Sequence, residues 1–304
     1  MTGIALLDSA HDALQQRSAP LRRTVRKFFR HLKKYRRGRT SASPHDVQKF
    51  VVLCWRRTGS NWLCGMLFNH PEVFMHNELF NEFGIHSYYP ETLKEWDFRR
   101  RDAMPAVFLE AAFESFELVE AKRARRVRAC GFKCFHDHFL DSQGVHPNED
   151  LWPLYDDLLA DSEVKKVILH RENVFAVYVS SRRSLLTGAY LSVDYSSTTL
   201  TISIPALQAF VSQYQHAFAH YTERTAGQRP FRVAYEELTA SADAARDRVR
   251  ELFAFLGLPE ASDAEVTQLR ETVQQSADGE ELEDVIDNFA EVEFAFRHTE
   301  IGRR

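Results

Sequence analysis

The stretch 49–71, KFVVLCWRRTGSNWLCGMLFNHP, constrains this chain more than any other. Phe50, Val51, Val52 and Leu53 form a short, unbroken apolar run that suits a strand buried on both faces, and the run stops at Arg56-Arg57. Thr58-Gly59-Ser60-Asn61 then supplies small residues, hydroxyls and a backbone free to turn, while Trp62, Leu63, Met66 and Leu67 recur at helical spacing. The expectation is strand, tight turn, helix. In that geometry backbone N–H groups of the turn and of the first helical turn converge on one point. The helix dipole favours an anion there, and Arg57 adds a full charge. A phosphate or sulfate is the expected ligand.

Beyond this stretch, apolar strand-like runs alternate with helical patterns, as in βα units around a mostly parallel sheet. Strands are expected at 127–135, 165–170 and 231–235. Helices are expected at 106–120, 174–186, 205–224 with Pro205 at its start, and 243–256, closed by Gly257 and Pro259. The aromatics of 106–120 read as core. Eight acids and no base lie within 278–293, which reads as a solvated helical face. A chain of 304 residues with 44% hydrophobic content can bury a full core. One large domain over 47–304, preceded by an extension over 1–46, is the expected division.

The net charge of −4 conceals an asymmetry: residues 17–39 hold eleven Lys or Arg and no acid, so the rest of the chain carries 28 bases against 43 acids. A body that acidic argues against nucleic acid as a partner. Within the extension Leu21, Val25, Phe28, Leu32 and Tyr35 make an apolar stripe on a basic helix. Three readings stay open: docking on the protein's own acidic body or a second subunit, a peripheral contact with an anionic membrane through 21–35, or a helix offered to a partner protein. No apolar run has the length of a membrane span, and the N-terminus lacks the pattern of a signal peptide. Cys54, Cys64, Cys130 and Cys134 have no zinc-like spacing and read as free thiols, so a cytoplasmic location is expected.

The turn lacks the second Gly and the Lys of the nucleotide-triphosphatase loop, which disfavours magnesium-ATP and a kinase. Arg57, Thr58, Gly59, Ser60, Asn61 and Trp62 instead resemble, in order, the 5′-phosphosulfate loop of the sulfotransferases that use 3′-phosphoadenosine 5′-phosphosulfate (PAPS). Three further segments extend the resemblance. Arg171 ends an expected strand and Ser180 follows in the next helix, nine residues on where eight is commonest, with Ser181 as the alternate; in the family these positions bind the 3′-phosphate. Tyr235-Glu236-Glu237-Leu238 is similar to the stretch beside the adenine, where Tyr235, like Trp62, would stack or hydrogen bond. Arg297, with His298 and Gly302-Arg303-Arg304, resembles the C-terminal basic loop that closes over the 3′-phosphate, although His298 and Thr299 replace the usual Lys and Gly.

The resemblance implies an α/β fold, a three-layer sandwich with a central mostly parallel sheet of the P-loop-like sulfotransferase kind. It also implies PAPS as donor, 3′-phosphoadenosine 5′-phosphate (PAP) as product, and no metal. Arg57 would stabilise the leaving phosphate, and Lys133 would contact the transferring sulfonate or serve a structural ion pair. Glu78 stands where bacterial carbohydrate sulfotransferases place a catalytic Glu, so a hydroxyl of a carbohydrate or glycolipid is the expected acceptor. The rival base is His136, on the strand that carries Lys133, although the small-molecule enzymes place their His two residues after the Lys and His136 comes three after. His136 and His138 form a His-x-His pair on one expected strand face, which reads only weakly as a metal site. The alternatives are a catalytically silent nucleotide-binding or scaffold protein of the same fold, and a sulfotransferase of a small alcohol or phenol.

Overall fold

A computed structural model describes residues 47–123, 126–141, 144, 146–188, 199–271 and 282–297. The basic stripe of the extension and the chain beyond Arg297 lie outside the described residues, as does 272–281, which includes the first four residues of the acidic segment.

Five parallel strands build one sheet: β1 (Gln48–Cys54), β2 (Val73–Glu78), β3 (Ala129–Phe135), β4 (Lys165–His170) and β5 (Phe231–Ala234), in the order β2-β3-β1-β4-β5. β1 is central, and the reason lies in its composition. Phe50, Val52 and Cys54 pack into one buried cluster while Val51 and Leu53 pack into another, and all five are fully buried. Successive strand side chains point to opposite faces, so a strand covered on both sides needs an apolar residue at every position. Each such Val, Leu or Phe contributes about 1.5–3 kcal/mol by leaving water.

On the first face lie α1 (Ser60–Asn69) and, from the chain's second half, α9 (Ala242–Phe255) and α10 (Asp263–Glu271). On the second lie α3 (Pro105–Glu114), after the short α2 (Phe98–Ala103), together with α4 (Phe116–Arg123), α5 (Trp152–Ala160) and Tyr221 of α7 (Ile204–Arg224). Helices therefore cover both faces of a parallel sheet, the α/β sandwich expected from the sequence. A third cluster joins α6 (Val174–Thr187) and α7 to Leu200, Ile202, Val285, Ile286 and Val292. The short α8 (Tyr235–Thr239) follows β5 directly, and α11 (Leu282–Val285) and α12 (Phe289–Arg297) end the described chain.

Two expectations need correction. The helix expected over 106–120 is two helices, because Ser115 closes α3: its amide returns to the Ala112 carbonyl, its hydroxyl donates to the same oxygen at 2.7 Å, and α4 begins at Phe116. The acidic segment is not merely a solvated face. Glu283, Asp284, Asp287 and Glu291 are exposed, but Val285, Ile286 and Val292 are buried, and Ile286 bridges Leu200. Among the described residues no helix is long and apolar enough to cross a membrane.

Candidate active site

The carboxyl ends of β1, β3, β4 and β5 deliver four of the residues singled out above to one end of the sheet, and in open parallel sheets that end is where ligands bind. After β1 the chain must turn at once into α1. Arg57 and Gly59 both take left-handed backbone angles, with φ of 67° and 81°. For Arg57 this conformation costs about 1–2 kcal/mol. Thr58 is fully buried, and its hydroxyl donates to the Trp55 carbonyl at 2.7 Å, closing the turn. Gly59 caps α1 without a side chain, and no acid lies in the first turn, so the helix presents its positive end undiluted.

Arg56 and Arg57 diverge. Arg56 turns toward β3 and pairs with Asp137 at 2.6 Å and Glu82 at 3.8 Å. Arg57 turns toward α6 and donates from Nε to the Ser180 hydroxyl at 2.9 Å. The nine-residue step from Arg171 therefore brings Ser180 to the loop. Tyr235, at the end of β5, lies against the same loop so closely that a Cβ added to Gly59 would sit 2.3 Å from its ring. The Arg171 guanidinium lies over that ring, 4.6 Å from its centroid.

Arg171 is held at both backbone and side chain. Its N–H donates to the Tyr214 hydroxyl and its carbonyl accepts from the same group, each at 2.9 Å. Its Nε lies 3.9 Å from Glu236 Oε1. The Glu236 carboxylate also accepts the Glu172 and Asn173 amides at 3.0 and 3.2 Å, and Asn173 caps α6 through the Ala176 amide. In the sequence Glu236 is only one member of a tetrapeptide; its role in fixing the start of α6 depends on β4 and β5 being neighbours.

A second group of side chains lies between β2, β3 and α1. Lys133 is 1% exposed, and its ammonium donates to Asn61 Oδ1 and pairs with Glu78 Oε1 at 2.8 Å. Glu78 Oε2 accepts from Asn81 Nδ2 at 2.6 Å and lies 3.6 Å from His138 Nε2. Burial alone would raise the Glu78 carboxyl. His138 and the Lys133 ammonium outweigh it and hold the group well below the usual carboxylate range. Asn81 is itself fixed by the buried Arg101 of α2, whose guanidinium donates to the Leu79 and Asn81 carbonyls at 3.0 and 2.7 Å. Neither Asn81 nor His138 stood out in the sequence as a neighbour of Glu78. The Asn three residues after the Glu was the one available signal.

The two histidines do not share a strand face. β3 ends at Phe135, and both lie in the single 3₁₀ turn that follows, facing different neighbours. His138 meets Glu78, whereas His136 is buried against Trp152, Tyr155, His216 and His220, with Nδ1 3.1 Å from the Tyr155 hydroxyl. Burial, with His220 and His216 beside it, pushes His136 down to about 4. Among the described residues no group of three or more His, Cys, Asp or Glu is placed to hold a metal ion. Trp62 points into the core on the α1 side of the sheet, 5% exposed, and Ser60 is similarly buried. Arg297 is the last residue of α12, and the basic stretch after it lies outside the described residues.

No family model and no curated protein matches the chain. Among solved structures, it is similar to the sulfotransferase domain from the curacin biosynthetic pathway, at 14% identity and a TM-score of 0.42 over 84% of this chain and 92% of that one. It is also similar to sulfotransferase STF9 from Mycobacterium avium, at 13% identity and a TM-score of 0.43 over 96% of this chain and 83% of that one.

Proposed function

We propose that this protein is a sulfotransferase that moves the sulfuryl group of PAPS to a hydroxyl of a carbohydrate or glycolipid. The observation that carries this reading is a run of contacts at the carboxyl end of the sheet: Arg57 of the loop on Ser180, Tyr235 against Gly59 of the same loop, and Arg171 over the Tyr235 ring. Two guanidiniums, a hydroxyl, a helix N-terminus with no side-chain cap and an aromatic ring form a recognition set for a nucleotide with two separate anionic groups. Arg57 and the first amides of α1 take the phosphosulfate, Arg171 and Ser180 the 3′-phosphate, and Tyr235 the adenine.

In the transfer, the acceptor oxygen attacks sulfur in line with the departing phosphate oxygen. The new O–S bond forms as the old S–O bond breaks, its electron pair passing to the phosphate, and the hydroxyl proton passes to Glu78. Positioning and electrostatic stabilisation of the leaving phosphate by Arg57 supply most of the acceleration, as in phosphoryl transfer. Glu78 is the better base on position, because it lies with Lys133 and Asn61 beside the loop, whereas His136 is enclosed by aromatic and imidazole rings.

The test is direct. Purified protein is incubated with PAPS carrying labelled sulfur and with panels of sugars, glycolipids, phenols and small alcohols. Label transferred to a sugar or glycolipid hydroxyl is the expected result. Transfer confined to phenols or small alcohols would overturn the acceptor, and binding of PAPS without transfer to any panel would favour a silent nucleotide-binding protein.

A further inference from the structure

Lys133 stands between the two halves of the proposed reaction. It projects from β3 under α1, and one amine serves Asn61 Oδ1, two residues past Gly59, as well as Glu78 Oε1 at 2.8 Å. The other Glu78 oxygen is engaged by Asn81 at 2.6 Å, with His138 at 3.6 Å. Both oxygens of the base are therefore occupied, and the occupant of Oε1 is a full positive charge. A carboxylate oxygen so held is a poor acceptor for a hydroxyl proton. The ammonium that holds it already reaches the first turn of α1, where the donor's anionic end is expected, and a sulfonate there competes for it.

Resting on the PAPS reading, we propose that Lys133 is exchanged between Glu78 and the sulfonate of the donor, so that arrival of the donor releases the base. Lys133 stays protonated throughout. Its bond to Oε1 is replaced by one to a sulfonate oxygen, and Oε1 becomes open to the acceptor's proton. Coupling of this kind is reciprocal: if the donor loosens the Lys133–Glu78 pair, that pair must weaken donor binding to the same extent.

The reciprocity gives a test independent of turnover. Glu78→Gln keeps the shape of the side chain and removes the charge that competes for Lys133. Calorimetry with PAPS and with PAP, which lacks the sulfonate, is run on the wild type, Glu78→Gln, Lys133→Met and the double variant. The expected result is that Glu78→Gln binds PAPS about tenfold tighter, from loss of one charge-assisted competitor, while its affinity for PAP stays within about twofold. In the Lys133→Met background the gain disappears. PAPS binding by Glu78→Gln that is unchanged or weaker would overturn the proposal, as would an equal gain with PAP or a gain that persists without Lys133. The single Glu78→Gln comparison decides the matter by itself if Lys133→Met does not fold. Wild-type protein that binds neither nucleotide would instead defeat the sulfotransferase reading, and the proposal with it.

Discussion

At the scale of single residues, the proposed function rests on charged groups that pack and pair with one another in the structure. Glu78→Gln is expected to slow transfer about 10²–10⁴-fold, the usual contribution of a general base, while PAP affinity stays near wild type. Turnover that matches the wild type would remove Glu78 from the reaction. Arg171→Ala is expected to weaken PAP binding roughly 10- to 100-fold, the range of one or two charge-assisted hydrogen bonds, with thermal stability changed far less. Unchanged affinity would take Arg171 out of the site. Gly59→Ala would force a side chain onto a φ of 81° and drive a Cβ into Tyr235, so loss of nucleotide binding is expected without global unfolding. Arg57 and Arg171 stand out in the sequence because each follows an apolar run, whereas Glu78 and Lys133 are singled out only by the family resemblance. His138 and Glu236 do not stand out, because each acquires its role from a neighbour brought close only by the order of the strands, and Asn81 offers only its three-residue spacing from Glu78.

At the scale of elements, strand periodicity was the most readable signal. The expected strand at Lys165–His170 is β4 without adjustment, and β1 and β3 differ from expectation only at their ends. Burial on both faces makes the apolar run continuous, and charge ends it. The helices were less legible at breaks such as Ser115, where one hydroxyl turned back on the preceding turn separates α3 from α4. The turn after β3 was misread for a related reason: a His-x-His pair looks the same on an extended strand as on a 3₁₀ turn. β3 also carries a constraint that the sequence alone did not reveal. Gly131 pairs with Phe50 in the parallel register, and a Cβ there would lie 2.6 Å from both the ring and the carbonyl oxygen of Phe50. Gly131→Ala is therefore expected to destabilise the protein by about 2–3 kcal/mol through overpacking beside the central strand. A denaturant midpoint equal to that of the wild type would contradict this packing.

At the scale of the whole molecule, acid should unfold the protein through several groups acting in the same direction. His76 is buried between Ser87, Ala112 and Ser115, and burial pushes it down to about 4; His136 is likewise held at about 4. Between about pH 6.5 and 4 the unfolded chain takes up protons at these positions and the folded chain does not. Stability is therefore complete above that window and is lost as pH falls through it, by ~2 kcal/mol for each group at pH 5. The depressed Glu78 carboxyl extends the loss below the ordinary carboxylate range. Denaturant titrations at pH 7.5 and pH 5 check this, with a flat response as the contrary outcome.

The mostly parallel sheet was legible from the alternation of apolar runs and helical patterns, and its three-layer form followed from the family resemblance. The contribution of the basic extension was not legible, since one apolar stripe in a basic sequence suits a body, a membrane and a partner alike. What ties the scales together is the claim that Arg57, Ser180, Arg171 and Tyr235 form one receptor for a nucleotide with two anionic groups. Calorimetric titration with PAP, run beside ATP with magnesium, tests that claim most directly. Saturable binding of PAP at one site, with little or no heat from magnesium-ATP, is the predicted result. No binding of PAP, or a preference for magnesium-ATP, would contradict it.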